Sequence, residues 1–362
     1  MYQPKFQITN NLLTYISNIE SAKAVIANSP LIPAYEAKFR DEAACRTVHF
    51  GTKIEGNDLS AAQAEQVVRL EDELDSGEIA KKAGIVARER DIQEVINYRN
   101  VINWIDQWEV TTNRRDRLSG ETLQTLHRLT MQRLLEADEL GIWRKKQVIV
   151  KSAIDGRVAF RPPVAAEVPY LLADFFAWLK SEAAKAIHPI FLSAITHYQL
   201  VFIHPFIEGN GRTARAMASL VLYTSGYDFK RFFSIEQYFD SDVKAYYSAL
   251  RSVQQNSDEL TYFLEYFCYG LALEIDKVKQ RVSKLSRDLK LKKELGRQVA
   301  LTERQLILLE LLQEQGQITS TDAQKVLPNI SVDTVLRDLK DLLEKGLIDK
   351  KGVTKGVTYS LV

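Results

Sequence analysis

The sequence predicts a mainly α-helical protein of two to three domains, with β-structure confined to two short hairpins. Most of the 362-residue chain has apolar residues at helical spacing. One segment in the middle favours strands around an Asp-Gly turn, and the C-terminal part has its own pattern of helices followed by strands. A hydrophobic content of 46% with 26% charged residues is typical of a globular chain with sizeable cores.

Helices are predicted for most of the segment before residue 225. In Glu89 to Trp108 the apolar positions recur with a helical period. Similar patterns occupy 118–135, 165–181 and 190–204. His204 precedes a proline, which disfavours the α region for that residue, so the fourth helix should end there. The next helix should begin near Arg212.

A lone β-hairpin interrupts this helical pattern. The runs Val148–Val150 and Val158–Phe160 flank Asp155-Gly156, a strong hairpin turn signal, and prolines follow the second run. A hairpin inside a helical domain has no sheet to join. It is therefore either a decorative loop or a flap whose strand edge another chain can use.

The C-terminal residues predict a separate small domain of three helices and a strand pair. Thr302 and Ser331 are expected N-caps, and Gly346 is the expected end of the third helix. This order resembles a winged helix-turn-helix module. The preceding segment, Lys277 to Arg297, holds nine Lys/Arg and two Asp/Glu, which predicts a solvated linker helix or, as the alternative, a nucleic-acid patch.

Composition excludes several classes of protein. The formal net charge is +1, so no strong steering to acidic partners is expected. Cys45 and Cys268 have no metal-ligand spacing, and we expect them to be buried thiols in a reducing compartment. The first residues do not have the pattern of a signal peptide, and no apolar run reaches the ~18–20 residues of a membrane span. We therefore expect a cytoplasmic protein that does not enter a membrane.

The segment HPFIEGNGRTAR, from His204 to Arg215, predicts an anion site. A glycine-rich loop that leads into a helix presents free backbone N–H groups and the positive end of the helix dipole. Gly209 and Gly211 let the backbone approach a phosphate closely. Asn210 tolerates a left-handed conformation and adds a side-chain donor.

The charged residues of this segment fit a nucleotide's phosphates. Arg212 and Arg215 lie three apart on one helical face, and two forked donors suit a triphosphate. Glu208 would be repelled by phosphates unless a cation such as Mg²⁺ lay between them. His204 is the one base in the loop that is neutral near pH 7. Each residue taken singly has a structural explanation, but their combination favours a site.

The segment resembles the Fic-domain signature, HPFx(D/E)GNGRxxR, and every fixed position is met. These positions are His204, Pro205, Phe206, Glu208, Gly209, Asn210, Gly211, Arg212 and Arg215. Residues 141–163 are similar to the flap region of that family, and His197 to Phe206 to the segment that precedes its motif. The resemblance implies a helical core with a β-hairpin flap, and transfer of AMP from ATP to a Ser, Thr or Tyr hydroxyl of a protein with release of pyrophosphate.

The resemblance also implies roles for these residues. His204 would deprotonate the target hydroxyl, and Glu208 would hold Mg²⁺. Gly209, Asn210 and Gly211 would bind the phosphates, Arg212 would add to them, and Arg215 would contact the terminal phosphate. The flap, about 146–160, would align the target's backbone by strand addition. Relatives that act as kinases have a lysine in the Gly-Arg part of the motif. This chain has Arg212 there, which favours AMP transfer over phosphate transfer.

A second segment, GTKIEGNDLS, places an acid against its helix dipole. Gly56 is a helix-stop signal, Ser60 and Gln63 predict a capping box, and Glu55 then lies in the last helical turn, where its charge is unfavourable by ~0.3–1 kcal/mol. The alternative is a solvent-facing Glu whose unfavourable placement is tolerated. The segment resembles the inhibitory motif (S/T)xxxE(G/N) of Fic proteins, in which the glutamate pairs with the second motif arginine. Its first position differs, because Gly51 stands there and a threonine follows.

These observations predict an autoinhibited protein adenylyltransferase in four regions. They are an N-terminal helical region with the inhibitory motif, 1–110, a Fic catalytic core, 111–275, a basic linker helix, 276–300, and a winged-helix-like domain, 301–362. Removal of AMP at the same site and a nucleotide-sensing DNA-binding regulator remain alternatives. The C-terminal domain holds eight Lys/Arg and nine Asp/Glu, which favours a protein partner or a homodimer over DNA.

Overall fold

A computed structural model describes residues 2–29, 31–70, 84–108, 117–151, 158–294, 301–328, 330–352 and 357–362. The predicted fold class is confirmed: within these ranges the chain is mainly helical, with one two-stranded and one three-stranded sheet. The chain divides into two compact units, Met1–Ser286 and Arg287–Val362. No helix in the described ranges combines the length and the apolar character that crossing a bilayer requires.

The first unit is built from helices with one hairpin among them. Its helices are α1 Asn10–Asn28, α2 Pro33–Lys53, α3 Ala61–Val68, α4 Glu89–Asp106, α5 Gly120–Met131, α6 Val168–Leu179, α7 Glu182–Lys185, α8 Pro189–Ile203, α9 Asn210–Thr224, α10 Ile235–Ser241 and α11 Val243–Gln255. The last helix, α12 Thr261–Glu294, begins in this unit and continues past its end at Ser286. Two 3₁₀ turns lie at Ala165–Glu167 and Phe229–Arg231.

The helix α8 lies at the centre of this unit. Most of its residues are buried on all sides, which its nearly continuous apolar sequence predicts. It ends at His204 as predicted, and α9 packs along it after the intervening loop. The helix α9 begins at Asn210, two residues before the predicted start, because Gly209 adopts a left-handed conformation with φ 75° and serves as the N-cap.

The predicted hairpin is present as β1 Val150–Lys151 and β2 Val158–Phe160. The strands are antiparallel, with Val150 opposite Phe160. The first strand lies later than the predicted 148–150, and the Asp155-Gly156 turn lies outside the described residues. The pair joins no further strand in the described part of the chain.

The second unit contains three helices and a three-stranded antiparallel sheet after the end of α12. The elements are α13 Glu303–Gln315, β3 Gln317–Thr319, α14 Ser320–Val326, α15 Val332–Glu344, β4 Ile348–Lys351 and β5 Thr358–Leu361. Thr302 and Ser331 cap their helices as predicted. The sheet order β3-β5-β4 adds one strand that the sequence analysis missed, because its three residues carry no turn signal of their own.

Candidate active site

His204, the predicted base, lies at the point where α8 ends. Its backbone is left-handed, with φ 52° and ψ 60°, and its N–H donates to the Leu200 carbonyl. The ring Nδ1 lies 3.2 Å from the Val201 carbonyl oxygen. With its proton on Nδ1, the ring would donate to the Val201 carbonyl, and Nε2 would be free to accept a proton from a substrate. Burial lowers the pKa of His204 to about 4, so the imidazole is neutral near pH 7.

The loop after His204 is closed by the side chain of Asn210. Its Oδ1 accepts from the Phe206 N–H and its Nδ2 donates to the Phe206 carbonyl, both at 2.9 Å. The Asn210 backbone is helical, so the left-handed residue is Gly209 and the Asn210 amide is committed within the loop. The Asn210 side chain therefore holds the loop closed, while its backbone N–H lies in the first turn of α9.

His127 of α5, which the sequence analysis missed, packs against this loop and hydrogen-bonds to it. Its ring stacks on Phe206, with centroids 3.7 Å apart. Its Nδ1 accepts from the Gly141 N–H, so Nε2 carries the proton and donates to the Glu208 carbonyl 3.1 Å away. Burial lowers the pKa of His127 to about 4, which keeps this neutral tautomer. A histidine inside a helical pattern carries no sequence signal for such a role.

Glycine is required at positions 209 and 211 for two different physical reasons. A Cβ on Gly209 would lie 2.5 Å from the Met131 sulfur, and its φ disfavours other residues. A Cβ on Gly211 would lie 2.3 Å from the Glu55 carboxylate. Gly211 therefore leaves room for an oxyanion at the N-terminus of α9, and in this structure Glu55 supplies that oxyanion.

The motif arginines are almost fully buried, with side-chain exposures of 3% for Arg212 and 1% for Arg215. In both, Nε and Nη1 are buried without a hydrogen-bond partner among the described residues. Of these four atoms, Arg212 Nη1 lies 3.4 Å from a Glu94 carboxylate oxygen. Guanidinium donors without hydrogen bonds are costly to bury, so the site is suited to an additional anion. The two arginines come together as the sequence predicted, at the N-terminal end of α9.

The Glu55 carboxylate pairs with Arg215. Arg215 Nη2 lies 2.8 Å from Glu55 Oε1 and donates at the same distance to the Gly51 carbonyl. Burial raises the pKa of Glu55, but Arg215 and Arg212 outweigh burial and hold that pKa below its ordinary value. Burial lowers the pKa of Arg215, but Glu55 outweighs it and holds that pKa well above its ordinary value. The pair is therefore ionised on both sides.

The helix α2 ends at Lys53, so Glu55 lies in the turn just beyond it and not in its last turn. The capping box of Ser60 and Gln63 is confirmed. The structure also explains the departure at Gly51, because a Cβ there would lie 2.3 Å from the Tyr98 ring. The following threonine, Thr52, is buried and donates to the carbonyls of Val48 and His49.

A polar network joins this turn to the rest of the loop through α4. The Asn57 amide donates to Glu94 Oε2 at 3.0 Å. Glu94 Oε1 lies 3.4 Å from Arg212 Nη1 and 3.3 Å from Arg90 Nε. Arg90 also pairs with the Glu208 carboxylate. The turn of Glu55 is thus connected to both motif arginines, to Arg215 directly and to Arg212 through Glu94.

A cavity of about 240 Å³ opens beside His204, Gly211 and Arg215. Its walls are mostly aromatic and aliphatic. They come from α8 with Tyr198, Val201 and Phe202, from the hairpin with Val150 and Phe160, and from α11 with Val243, Tyr246, Tyr247 and Leu250. The sequence analysis did not find the α11 wall, because its residues lie in an ordinary amphipathic helix.

Residues 117–222 match the family model described as Fic/DOC family. Among curated proteins, "Protein adenylyltransferase Fic" of Culex quinquefasciatus is 28% identical over 186 residues, which cover 51% of this chain and 33% of that protein. The protein of the same name from Drosophila grimshawi is 29% identical over 188 residues, covering 52% and 35%. The chain therefore spans about one third of the length of these relatives.

Solved structures are similar over a larger part of the chain. A Fic family protein from Desulfovibrio desulfuricans G20 matches with a TM-score of 0.66 and 24% identity, over 100% of this chain and 98% of that one. Fic-1 from C. elegans matches with a TM-score of 0.56 and 22% identity, over 76% and 74%. At these identities the two likenesses describe the fold.

Proposed function

From the Fic domain that this chain carries in residues 117–222, we propose that the protein is an autoinhibited protein adenylyltransferase. The observation that carries the proposal is the loop between α8 and α9. It brings a neutral histidine, a helix N-terminus and two buried arginines with unpaired donors to one edge of an apolar cavity. Transfer of a nucleotide to a hydroxyl requires a base to deprotonate the hydroxyl and donors to bind the polyphosphate, and this loop has both.

The cavity and the anion site together fit ATP. Its aromatic walls from α8 and α11 would take the adenine, and the phosphates would then extend past His204 towards Arg212 and Arg215. Backbone N–H groups at the start of α9 and the two guanidinium groups would bind the β- and γ-phosphates. Arg215 would reach the terminal phosphate, which is the position that Glu55 now occupies.

The transfer step uses His204 as the general base. A target hydroxyl donates its proton to Nε2 as its oxygen attacks the α-phosphorus. The new oxygen–phosphorus bond forms, the bond from the α-phosphorus to the bridging oxygen breaks, and pyrophosphate leaves with that electron pair. Donors at the N-terminus of α9 stabilise the charge that develops on pyrophosphate. The flap hairpin would present the target's main chain, since strands of the described hairpin have no further partner.

The residues present fit Mg²⁺ only in company with phosphate. No group of three His, Cys, Asp or Glu that could hold a metal occurs in the described part of the chain, so the protein alone supplies no cage. The Glu208 carboxylate is 43% exposed and already faces a cationic group, that of Arg90. One carboxylate with phosphate oxygens and waters is an ordinary Mg²⁺ environment, in which the ion would neutralise charge on the leaving pyrophosphate.

Arg90→Gln is expected to tighten binding of a non-hydrolysable ATP analogue about two- to fivefold in Mg²⁺ and to leave binding in EDTA unchanged. The reason is that Arg90 and Mg²⁺ compete for Glu208, and a half-exposed ion pair contributes up to ~1 kcal/mol, or about fivefold. Calorimetric titrations in both buffers measure the effect. Arg88→Gln, which removes the same charge from a residue paired with Asp58 and Asp91, is the control. Weaker binding of Arg90→Gln in both buffers would instead make Arg90 a phosphate ligand.

Incubation of the full chain and of a Glu55→Gly variant with α-labelled ATP and Mg²⁺ tests the proposed activity. Intact mass of the chain and of added lysate proteins distinguishes the outcomes. An AMP adduct supports the transferase, a phosphate adduct would make the protein a kinase, and no adduct on any protein from either variant contradicts both. The second candidate function, removal of AMP, is favoured by one observation: the Glu55 carboxylate lies at the same cavity as His204, where it could orient a water.

The C-terminal unit is proposed to select the partner and not to perform the chemistry. Its third helix α15 exposes Val332 and Leu336, and residues 301–362 hold nine Asp/Glu against eight Lys/Arg. Both features suit a protein surface, the homodimer included, better than DNA. A salt-dependent gel shift with the full chain tests the DNA alternative. The four-region division and a cytoplasmic location remain part of this proposal.

Removal of the part of the C-terminal unit that follows α12 is expected to leave self-modification within about threefold of that of the full chain, and to abolish modification of the natural target. The expectation rests on the compact division of the chain and on a site built wholly from the first unit. A protein ending at about Leu295, tested for folding by circular dichroism and for label transfer, measures it. A folded but catalytically dead truncation would place the domain boundary elsewhere.

A further inference from the structure

Arg144 is a buried cation that lies in the segment before the flap. Its side chain belongs to a residue that is 5% exposed, and burial lowers its pKa. No carboxylate in the described part of the chain lies within ion-pair distance of it, in contrast to Arg212 and Arg215. Burying a guanidinium without a carboxylate partner costs folding free energy. Its presence therefore suggests a functional role for Arg144.

The donors of Arg144 are directed at main-chain carbonyls of two separate structures. Nε donates to the His204 carbonyl at 2.7 Å, and Nη2 lies 3.4 Å from the Ile203 carbonyl. Nη2 also donates to the Pro163 carbonyl at 2.5 Å, and Nη1 to the Lys146 carbonyl at 3.3 Å. The first pair of carbonyls ends α8, and the second pair brackets the hairpin on its two sides.

The backbone of Arg144 makes the same connection. Its N–H donates to the Pro205 carbonyl at 2.8 Å, in the residue after His204. His204 itself has a left-handed backbone, an uncommon conformation for a residue with a side chain. The planar fork of arginine can satisfy several carbonyls in fixed directions at once, which an ammonium group cannot do.

We infer that Arg144 is a positioning residue for the proposed transfer, since its guanidinium ties the turn of His204 to both ends of the flap. The inference rests on the proposed function. Arg144 touches neither nucleotide nor target. It sets the spacing between the base and the strand against which the target's hydroxyl-bearing segment would lie. A displacement of about 1 Å at a reacting group costs ~10²-fold in rate, so a loss of this tie should appear mainly in kcat.

The test compares Arg144→Met with Arg99→Met, both in the full chain carrying Glu55→Gly. Arg99 is a matched control, because it is equally buried and its Nη1 donates to the carbonyls of Val67 and Leu70, away from the site. We expect Arg144→Met to lower kcat about 10²-fold with KM for ATP within about threefold. Arg99→Met should lower the thermal midpoint by a similar amount with kcat within about twofold.

Two results would overturn the inference. One is a kcat for Arg144→Met equal to that of Arg99→Met. The other is loss of nucleotide affinity together with kcat, which would make Arg144 a support of the whole loop and not of the base. If Arg144→Met does not fold, Arg144→Lys keeps the charge but not the fork, and an intermediate loss of about tenfold in kcat is expected.

A readout independent of catalysis separates this inference from the proposed function. Amide hydrogen exchange of residues 146–151, 158–161 and 200–204 should accelerate at least tenfold in Arg144→Lys and remain unchanged in Arg99→Lys. If the Glu55→Gly parent transfers no nucleotide but the exchange result holds, the proposed function fails and the tie stands. Unchanged exchange in all these ranges would contradict the inference that Arg144 connects the turn of His204 to the flap, whatever the activity of the Glu55→Gly protein.

Discussion

His204→Ala is expected to lower AMP transfer by ~10²–10⁴-fold, the usual effect of removing a general base. Nucleotide affinity should stay within about threefold, because the proposed phosphate donors belong to α9 and to the motif arginines, which do not hydrogen-bond to the His204 ring. Initial rates of label transfer give the first quantity and calorimetric titration with ATP the second. The Glu55→Gly background provides a measurable starting rate.

The control for His204→Ala is His188→Ala at the other end of the same helix. His188 caps α8 by accepting from the Ile190 N–H, so its loss should reduce stability but not the rate at a temperature where both proteins are folded. The pH dependence gives a second check. Since the pKa of His204 is lowered to about 4, the neutral base persists through pH 6–8, and the rate should fall only as the pH approaches that value. Full transfer by His204→Ala would remove this residue from the mechanism.

The parts of the site that the sequence predicts are those whose chemistry is local. A glycine before a helix, an arginine pair at helical spacing and a histidine before proline each have a conformational reason within a few residues. The structure brings His204, Gly209, Arg212 and Arg215 together at the N-terminus of α9. The fold class followed in the same way from helical periodicity and one Asp-Gly signal.

The parts that the sequence does not predict depend on contacts between distant segments. The requirement for glycine at position 51 follows from the Tyr98 ring, and no local pattern contains that fact. The same holds for Glu94 between Asn57 and Arg212, and for His127 beneath Phe206. Such residues look like ordinary members of amphipathic helices until the packing of one helix on another is known.

Glu55→Gly is expected to raise AMP transfer by on the order of 10²-fold. The Glu55 carboxylate lies at the C-terminal end of α2, where the dipole disfavours it, and at the N-terminal end of α9, where the dipole favours an anion. In the proposed ATP complex it would occupy the place of a phosphate, because it holds a donor of Arg215 that the terminal phosphate would need. ATP could still bind, but with its α-phosphate displaced from the attacking hydroxyl, and about 1 Å of displacement is enough.

Removal of this carboxylate should also be visible in stability without ATP. Arg215 is 1% exposed and Glu55 27% exposed, so Glu55→Gly leaves a buried cation without its ionic partner. We expect a loss of about 1–3 kcal/mol in the free energy of unfolding, below the ~3–5 kcal/mol of a fully buried pair because Glu55 is partly exposed. ATP should restore more stability to Glu55→Gly than to the wild type, since its phosphate replaces the lost charge.

Initial rates of self-modification at saturating ATP test the inhibitory contact in a full mutant cycle. Glu55→Gly with Arg215→Ala should lose most of the gain, because both residues act on one phosphate. Asp58→Gly, an acid-to-glycine change three residues further along that does not touch Arg215, is the control for added backbone freedom and lost charge. Equal gains in Asp58→Gly and Glu55→Gly would assign the effect to the turn and not to the carboxylate. A Glu55→Gly protein no faster than wild type contradicts the inhibition, and one that has also lost removal of AMP from a modified substrate would make Glu55 a hydrolytic residue.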